Sequence, residues 1–204
     1  MREIYGAPQN LVFAEDIIRR GGVLPRTRYE LYRAVFRPIE ERWMAQGFGE
    51  AASTVYRRAF DMLTLRQPYF ESADFVAPAL IVSELIEHKF LARTGEQLMF
   101  THDLVRAFLA ANFFMERWQS DSAVWERGPD RDWVPMVEFC VTELTSAAQV
   151  EALLDHFLFA PAEVVREVYE LIRELRPGLL GVEVRDRFLR RFGEAVLALP
   201  QRRR

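Results

Sequence analysis

Apolar residues recur along this chain at three- and four-residue spacing far more often than in alternation, so the pattern predicts helices over most of its length. Leu11, Val12, Ala14, Ile17 and Ile18 mark a first helix over residues 9–20, stopped by Gly21-Gly22. Thr27 and Glu30 then form a capping-box pair ahead of a second helix whose face carries Leu31, Tyr32, Val35, Phe36, Ile39 and Trp43. Pro38 lies inside it and is expected to kink or split it, because proline lacks a donor and crowds the preceding turn. After Gly47 and Gly49, residues 50–66 read as a helix with Val55, Ala59, Phe60 and Leu63 inward. Gln67 through Ser72 read as a loop, and Pro78 suits the first turn of a helix carrying Leu80, Ile81, Leu85 and Ile86 to about Lys89.

The period then changes. Phe90-Leu91-Ala92-Arg93 and Gln97-Leu98-Met99-Phe100 flank Thr94-Gly95-Glu96, which predicts a two-stranded wing with Gly95 free to take positive φ. Thr101 opens a helix with Leu104, Phe108, Ala111 and Met115 on one side, reaching Trp118. Residues 119–130 read as a polar linker, and helices are expected near 131–145, 147–159, 161–175 and 182–199. The expected fold is mainly α: a helical domain over 1–48, a winged-helix domain with one small β-hairpin over 49–118, and a C-terminal helical array over 119–204. No sequence repeat marks that array as a solenoid.

Composition narrows the function classes. At 204 residues with 50% hydrophobic and 13% aromatic content, the chain can bury real cores. A net charge of −3 is too near balance for a general binder of nucleic acid or membrane surface. Of 27 basic residues only Lys89 is a lysine, a bias that a GC-rich genome explains as readily as chemistry. Cys140, in the apolar run Val137-Glu138-Phe139-Cys140-Val141, reads as a buried small hydrophobe rather than a reactive thiol. No stretch approaches the ~20 apolar residues of a membrane span, and the N-terminus lacks the apolar core of a signal peptide. A cytoplasmic protein is expected.

The excluded chemistry is as informative. A phosphate-binding P-loop needs a Gly-rich turn ending in Gly-Lys-Ser/Thr, but the sole lysine stands between His88 and Phe90. His88, His102 and His156 are widely separated, and one cysteine makes no zinc site, so no metal site is expected. A Ser/His/Asp triad assembles in three dimensions and leaves no fixed spacing, but no serine sits in a Gly-x-Ser-x-Gly elbow. No catalytic residue is assigned, and the chain is not expected to be an enzyme on its own.

Three segments carry a family resemblance. Leu98-Met99-Phe100-Thr101-His102-Asp103, continuing to Leu109-Ala110-Ala111, resembles the His-Asp segment that ends the winged-helix domain of STAND-class signal-transduction NTPases of the NACHT and NB-ARC types. Thr101 stands where the NB-ARC motif has methionine, while Phe100 and Leu109-Ala110-Ala111 follow the NACHT style. Upstream, Gly6-Ala7-Pro8 resembles the Gly-x-Pro segment opening the first helical domain. Leu24-Pro25 through Tyr32 resembles the Pro-x-x-Arg-x-x-Leu-Tyr stretch after it. The likeness covers roughly residues 1–118, and 119–204 only in being helical.

The resemblance implies that Pro8 packs against adenine, that His102 donates a hydrogen bond to the β-phosphate of ADP, and that Asp103 complements the same helix start. It implies ADP or ATP as ligand only together with a P-loop domain, supplied in cis or in trans, that these residues do not contain. It further implies a protein trigger or effector and a possible oligomer in the active state. Such a regulatory lid closes over ADP at rest and swings away when ATP replaces it.

Two other readings compete. In a DNA-binding winged helix the recognition helix, residues 78–89, would offer two glutamates against one lysine, a poor surface for phosphates; steep salt dependence of duplex binding would mark it. A helical protein–protein scaffold would be indifferent to His102→Ala.

Overall fold

The computed structural model describes residue 4 and residues 8–75, 77–126 and 128–198. Gly6-Ala7 of the upstream motif and the terminal Arg202-Arg203-Arg204, expected as a solvated tail, lie outside the described residues. The chain divides into two compact units, Met1–Glu116 and Arg117–Arg204.

In the first unit, α1 (Pro8–Arg19), α2 (Arg28–Ala45) and α3 (Ala51–Thr64) precede a short strand β1 (Phe70–Glu71). Then come α4 (Ala79–Glu87), β2 (Leu91–Thr94), β3 (Gln97–Phe100) and α5 (Asp103–Arg117). The capping box forms as expected: the Glu30 amide donates to the Thr27 hydroxyl at 3.1 Å, and the Thr27 amide donates to the Glu30 carboxylate at 3.2 Å. Such a cap stabilises a helix by about 1 kcal/mol. α2 is continuous through Pro38, so the proline does not split it. The missing hydrogen bond frees only the carbonyl of Ala34, an exposed residue, whereas Phe36, Ile39 and Trp43 on the same stretch are essentially fully buried. At about 1.5–3 kcal/mol per buried side chain, that packing exceeds the roughly 3 kcal/mol cost of an interior proline.

The sheet also corrects the expectation of a two-stranded wing. It has three antiparallel strands in the order β1-β3-β2, with Phe70 opposite Leu98 and Leu91 opposite Phe100. β1 falls inside the segment read as a loop. The hairpin turn narrows to Gly95-Glu96, Gly95 at φ +62° as its lack of a Cβ allows, and Thr94 joins β2.

One aromatic core fills this unit. Phe36 meets Trp43, Tyr56, Phe90 and Phe108 at ring-centroid distances of 5.8, 5.6, 5.2 and 6.2 Å, and Phe13 stacks on Phe90 at 5.4 Å. Segments 1–48 and 49–118, read as separate domains, thus share a core. The buried face of α1 is Asn10, Phe13, Ala14 and Ile17. Leu11, Val12 and Ile18 are about half exposed, as is Leu80 on α4, which the helical spacing placed inward.

Four helix ends in this unit close in the same way: the amide two residues beyond the cap reaches back five residues and its predecessor reaches back three, around a left-handed residue. Gly21 and Gly47 fill that position at φ +74° and +83°, but Arg66 and Lys89 fill it elsewhere at φ +55° and +61°. At Lys89, the Phe90 amide donates to Leu85 O at 2.8 Å and the Lys89 amide to Ile86 O at 3.1 Å. A side chain in this conformation is strained, so Lys89→Gly should raise the stability of the unit by about 0.5–1 kcal/mol, read as a higher urea midpoint at unchanged slope.

The second unit contains α6 (Val134–Glu143), α7 (Ala147–Phe157), α8 (Ala162–Leu175) and α9 (Val182–Ala198). α8 packs on α6 and α7, and α9 on α7. Val137, Cys140, Leu153, Val165, Val168 and Ile172 form its centre. The α9 contact is reinforced by Arg187–Glu151 at 2.7 Å and by Arg191–Asp155, while the rings of Tyr169, Phe188 and Phe192 stack in sequence at 5.4 and 5.9 Å. Cys140 is fully buried, and burial pushes its thiol far above the ordinary range, which makes it inert.

The expected polar linker is not a plain tether. It contains a short 3-10 turn at Ser122–Trp125, capped by the Asp121 carboxylate, and its last residue, Asp130, caps a second such turn at Arg131–Trp133. Val124 is buried, and Trp125 lies flat on His156 of α7 at 4.1 Å while its indole N–H donates to the Trp118 carbonyl at 3.0 Å. The expected helix near 131–145 therefore begins as a 3-10 turn and becomes α-helical at Val134.

Candidate functional site

The candidate nucleotide contacts lie at two helix starts, on α1 and α5. Only two residues, Thr101 and His102, join the end of β3 to the first residue of α5. The His102 carbonyl accepts the Val105 and Arg106 amides at 3.0 and 3.2 Å, and its ring Nδ1 accepts the Leu104 amide at 3.1 Å. His102 therefore acts as the N-cap of α5, with an imidazole nitrogen in the place a serine or aspartate oxygen usually takes. A neutral ring that accepts at Nδ1 carries its proton on Nε2, so the second nitrogen is a donor. The residue is half-buried.

Asp103 has a different setting. Its carboxylate is 82% exposed and pairs with Arg106 one turn on at 2.8 Å. An exposed pair of this kind is worth about 0–1 kcal/mol. The pairing also brings a guanidinium to the helix start: Arg106 lies one turn beyond His102, and its buried Nε has no hydrogen-bond partner among the described residues.

Pro8 opens α1 and is exposed. The structure links this helix start to the other through a single backbone group. The Lys89 carbonyl accepts the Thr101 hydroxyl at 2.6 Å and lies 3.5 Å from the Gln9 side-chain amide. Gln9 adjoins Pro8 and Thr101 adjoins His102, so the sequence neighbours of two of the three predicted site residues share one acceptor at the C-terminal cap of α4. The third, Asp103, points to its own helix partner.

Three neighbours to which the motifs assign no role shape this place. Asn10 is fully buried; its Oδ1 accepts the Tyr32 hydroxyl at 3.0 Å and its Nδ2 donates to the Ile4 carbonyl. One side chain thus clamps the backbone on the far side of Pro8 to α2. Thr101 and Gln9 are the other two. A polar residue in the 10-13-14-17 core stripe was a signal available for Asn10 alone.

Beside these groups, between α1 and the end of α4, lies a cleft of about 160 Å³ lined by Val12, Phe13, Asp16, His88 and Lys89 among others. It is smaller than the roughly 300–1,000 Å³ of small-molecule sites, too small to enclose a nucleotide. The His88 ring nitrogen lies 3.1 Å from the Arg42 guanidinium, and burial, then Arg42 and Arg20, hold its pKa below the ordinary histidine value. The unfolded chain therefore binds this proton more readily than the folded one. The stabilising contribution is present above the ordinary histidine range and lost as pH falls through it. Urea midpoints of the first unit should drop from neutral to mildly acidic pH, and His88→Gln should flatten that drop.

Among the described residues no three His, Cys, Asp or Glu side chains gather to hold a metal ion, and no helix is long and apolar enough to cross a membrane. Neither the known family models nor the curated proteins give a match to this chain.

Proposed function

We propose that this chain is the regulatory lid and sensor portion of a signal-transduction ATPase switch, covering a nucleotide held by a P-loop domain of the same or another polypeptide. In this reading residues 49–118 form a winged helix, Pro8 covers the adenine, and His102 donates from Nε2 to the β-phosphate of ADP. The chain supplies no catalytic group of its own.

The observation that carries the reading is the meeting of Gln9 and Thr101 on the Lys89 carbonyl, because it brings together two motifs some ninety residues apart that the resemblance assigns to one nucleotide. The His102 ring supports it by leaving an N–H free at a helix start, where the helix dipole already favours an anion. The strand order β1-β3-β2, with a hairpin strand at the centre, supports the winged-helix assignment. The half-exposed Leu11, Val12 and Ile18, next to exposed Val23 and Leu24, give a further domain an apolar surface to cover. A small cleft suits a lid better than a self-sufficient binder.

α4 argues against a DNA-reading role, since Ala79, Leu80, Ser83 and Glu87 are its exposed residues and carry no cation. The test is to purify the assembly from its native host through a tag on this chain and analyse the released nucleotide by chromatography. About one ADP per chain, with a P-loop protein or domain in the same peak, is expected. A nucleotide-free assembly overturns the reading.

A further inference from the structure

The geometry assigns Thr101 as the positioning residue for His102: its hydroxyl, bonded to the Lys89 carbonyl, fixes the backbone from which the imidazole both caps α5 and presents Nε2 outward. This rests on the proposed nucleotide reading for its functional consequence, but its structural content stands apart from it.

Lys89 is a non-glycine residue in the left-handed region, and the turn this creates at the end of α4 leaves its carbonyl outside that helix's own hydrogen-bond ladder. The carbonyl is directed at the start of α5. Thr101 uses both of its donors on the two consecutive carbonyls of this turn: the hydroxyl on Lys89 at 2.6 Å and the amide on Phe90 at 3.1 Å. With Thr101 pinned at two points, His102 is the sole remaining residue between the strand and the helix. Its carbonyl is committed to Val105 and Arg106 and its Nδ1 to Leu104, so Nε2 is the one ring nitrogen left to meet a ligand.

Thr101 is also the residue that departs from the motif it resembles, where methionine has no donor to offer. Here the hydroxyl makes a directional contact, and the strained Lys89 supplies its acceptor. Lys89 acts through its backbone, so its side chain is dispensable to this arrangement. Gln9 shares the same acceptor, which carries the effect to the first turn of α1 beside Pro8.

The test is the tautomer of His102, read in the 204-residue chain without nucleotide by long-range proton–nitrogen correlation of its ring. The wild-type ring is expected with its proton on Nε2, and a wild-type ring protonated on Nδ1 overturns the proposal with no variant needed. Thr101→Val removes the hydroxyl at nearly constant shape; it should lose the tautomer preference and speed exchange of the Leu104 amide about tenfold, in line with one lost hydrogen bond. Thr101→Ser should restore both, and Lys89→Gly should leave both unchanged. A Thr101→Val ring that keeps the wild-type tautomer overturns the proposal.

In the native assembly the same valine variant should release ADP about tenfold faster, with serine restoring retention. A shifted tautomer with unchanged ADP release overturns the nucleotide reading and leaves the positioning role standing. An unshifted tautomer overturns the positioning role whatever the nucleotide does.

Discussion

Replacing His102 by alanine should, on the proposed reading, weaken ADP retention in the native assembly by about 10- to 150-fold, the equivalent of one hydrogen bond to a charged phosphate at roughly 1.5–3 kcal/mol. The same substitution removes the N-cap of α5, so it also lowers stability by about 1 kcal/mol. The two effects separate in His102→Asn. Asparagine is a good N-cap and keeps the acceptor for the first-turn amide, but it lacks the ring that carries the second donor outward. This variant should fold with wild-type stability and still lose ADP. Equilibrium dialysis and urea unfolding of both variants check the pair of outcomes. The proposed switch reading also predicts a leaky active state for these variants, because the closed form would lose a contact that favours it. A passive scaffold would be indifferent to either substitution.

The largest effect on stability is expected at Phe36. It is fully buried, and its ring meets those of Trp43, Tyr56, Phe90 and Phe108, so it joins α2 to α3, the start of β2 and α5 at once. Phe36→Ala leaves a cavity that four large rings cannot easily collapse into, and should cost about 3–5 kcal/mol. That is a large share of the roughly 5–15 kcal/mol that holds a domain folded. Hydrogen exchange of the amides of α2 and α5 measures it directly, as protection set by opening of this unit. A loss below about 1 kcal/mol would place the centre of the core elsewhere.

What the sequence disclosed about this fold was local. Thr27 and Glu30 are three residues apart and satisfy each other, so the start of α2 was legible without any partner. Gly21 and Gly47 marked the ends of their helices, and Gly95 announced its left-handed turn, because glycine alone adopts that conformation without strain. Lys89 and Arg66 take the same conformation with nothing in their side chains to show it; the packing of the residues that follow imposes it. β1 was hidden for another reason. Two residues are too few to alternate, and Phe70-Glu71 becomes a strand only because β3, more than twenty-five residues later, lies beside it.

Packing also overrode local rules at Pro38, where three buried side chains on the same stretch outweigh one missing hydrogen bond. In the segment 119–130 polar composition masked Val124 and Trp125, two apolar residues that are enough to dock it.

The candidate site divides in the same way. Its residues Pro8 and His102 were found by motif, but the group that brings their neighbours together is a backbone carbonyl, which no residue type encodes. Asn10 was legible in principle as the polar member of the Phe13, Ala14, Ile17 stripe. Its role as a clamp required Tyr32 and Ile4 to be seen beside it.

The measurement that tests the central claim most directly is photoaffinity labelling of the native assembly with an azidoadenine analogue of ADP, followed by peptide mapping of this chain. The account predicts label within the first turn of α1, at or next to Pro8, blocked by excess ADP. Label that excess ADP does not block, or label confined to other parts of the chain, would contradict it.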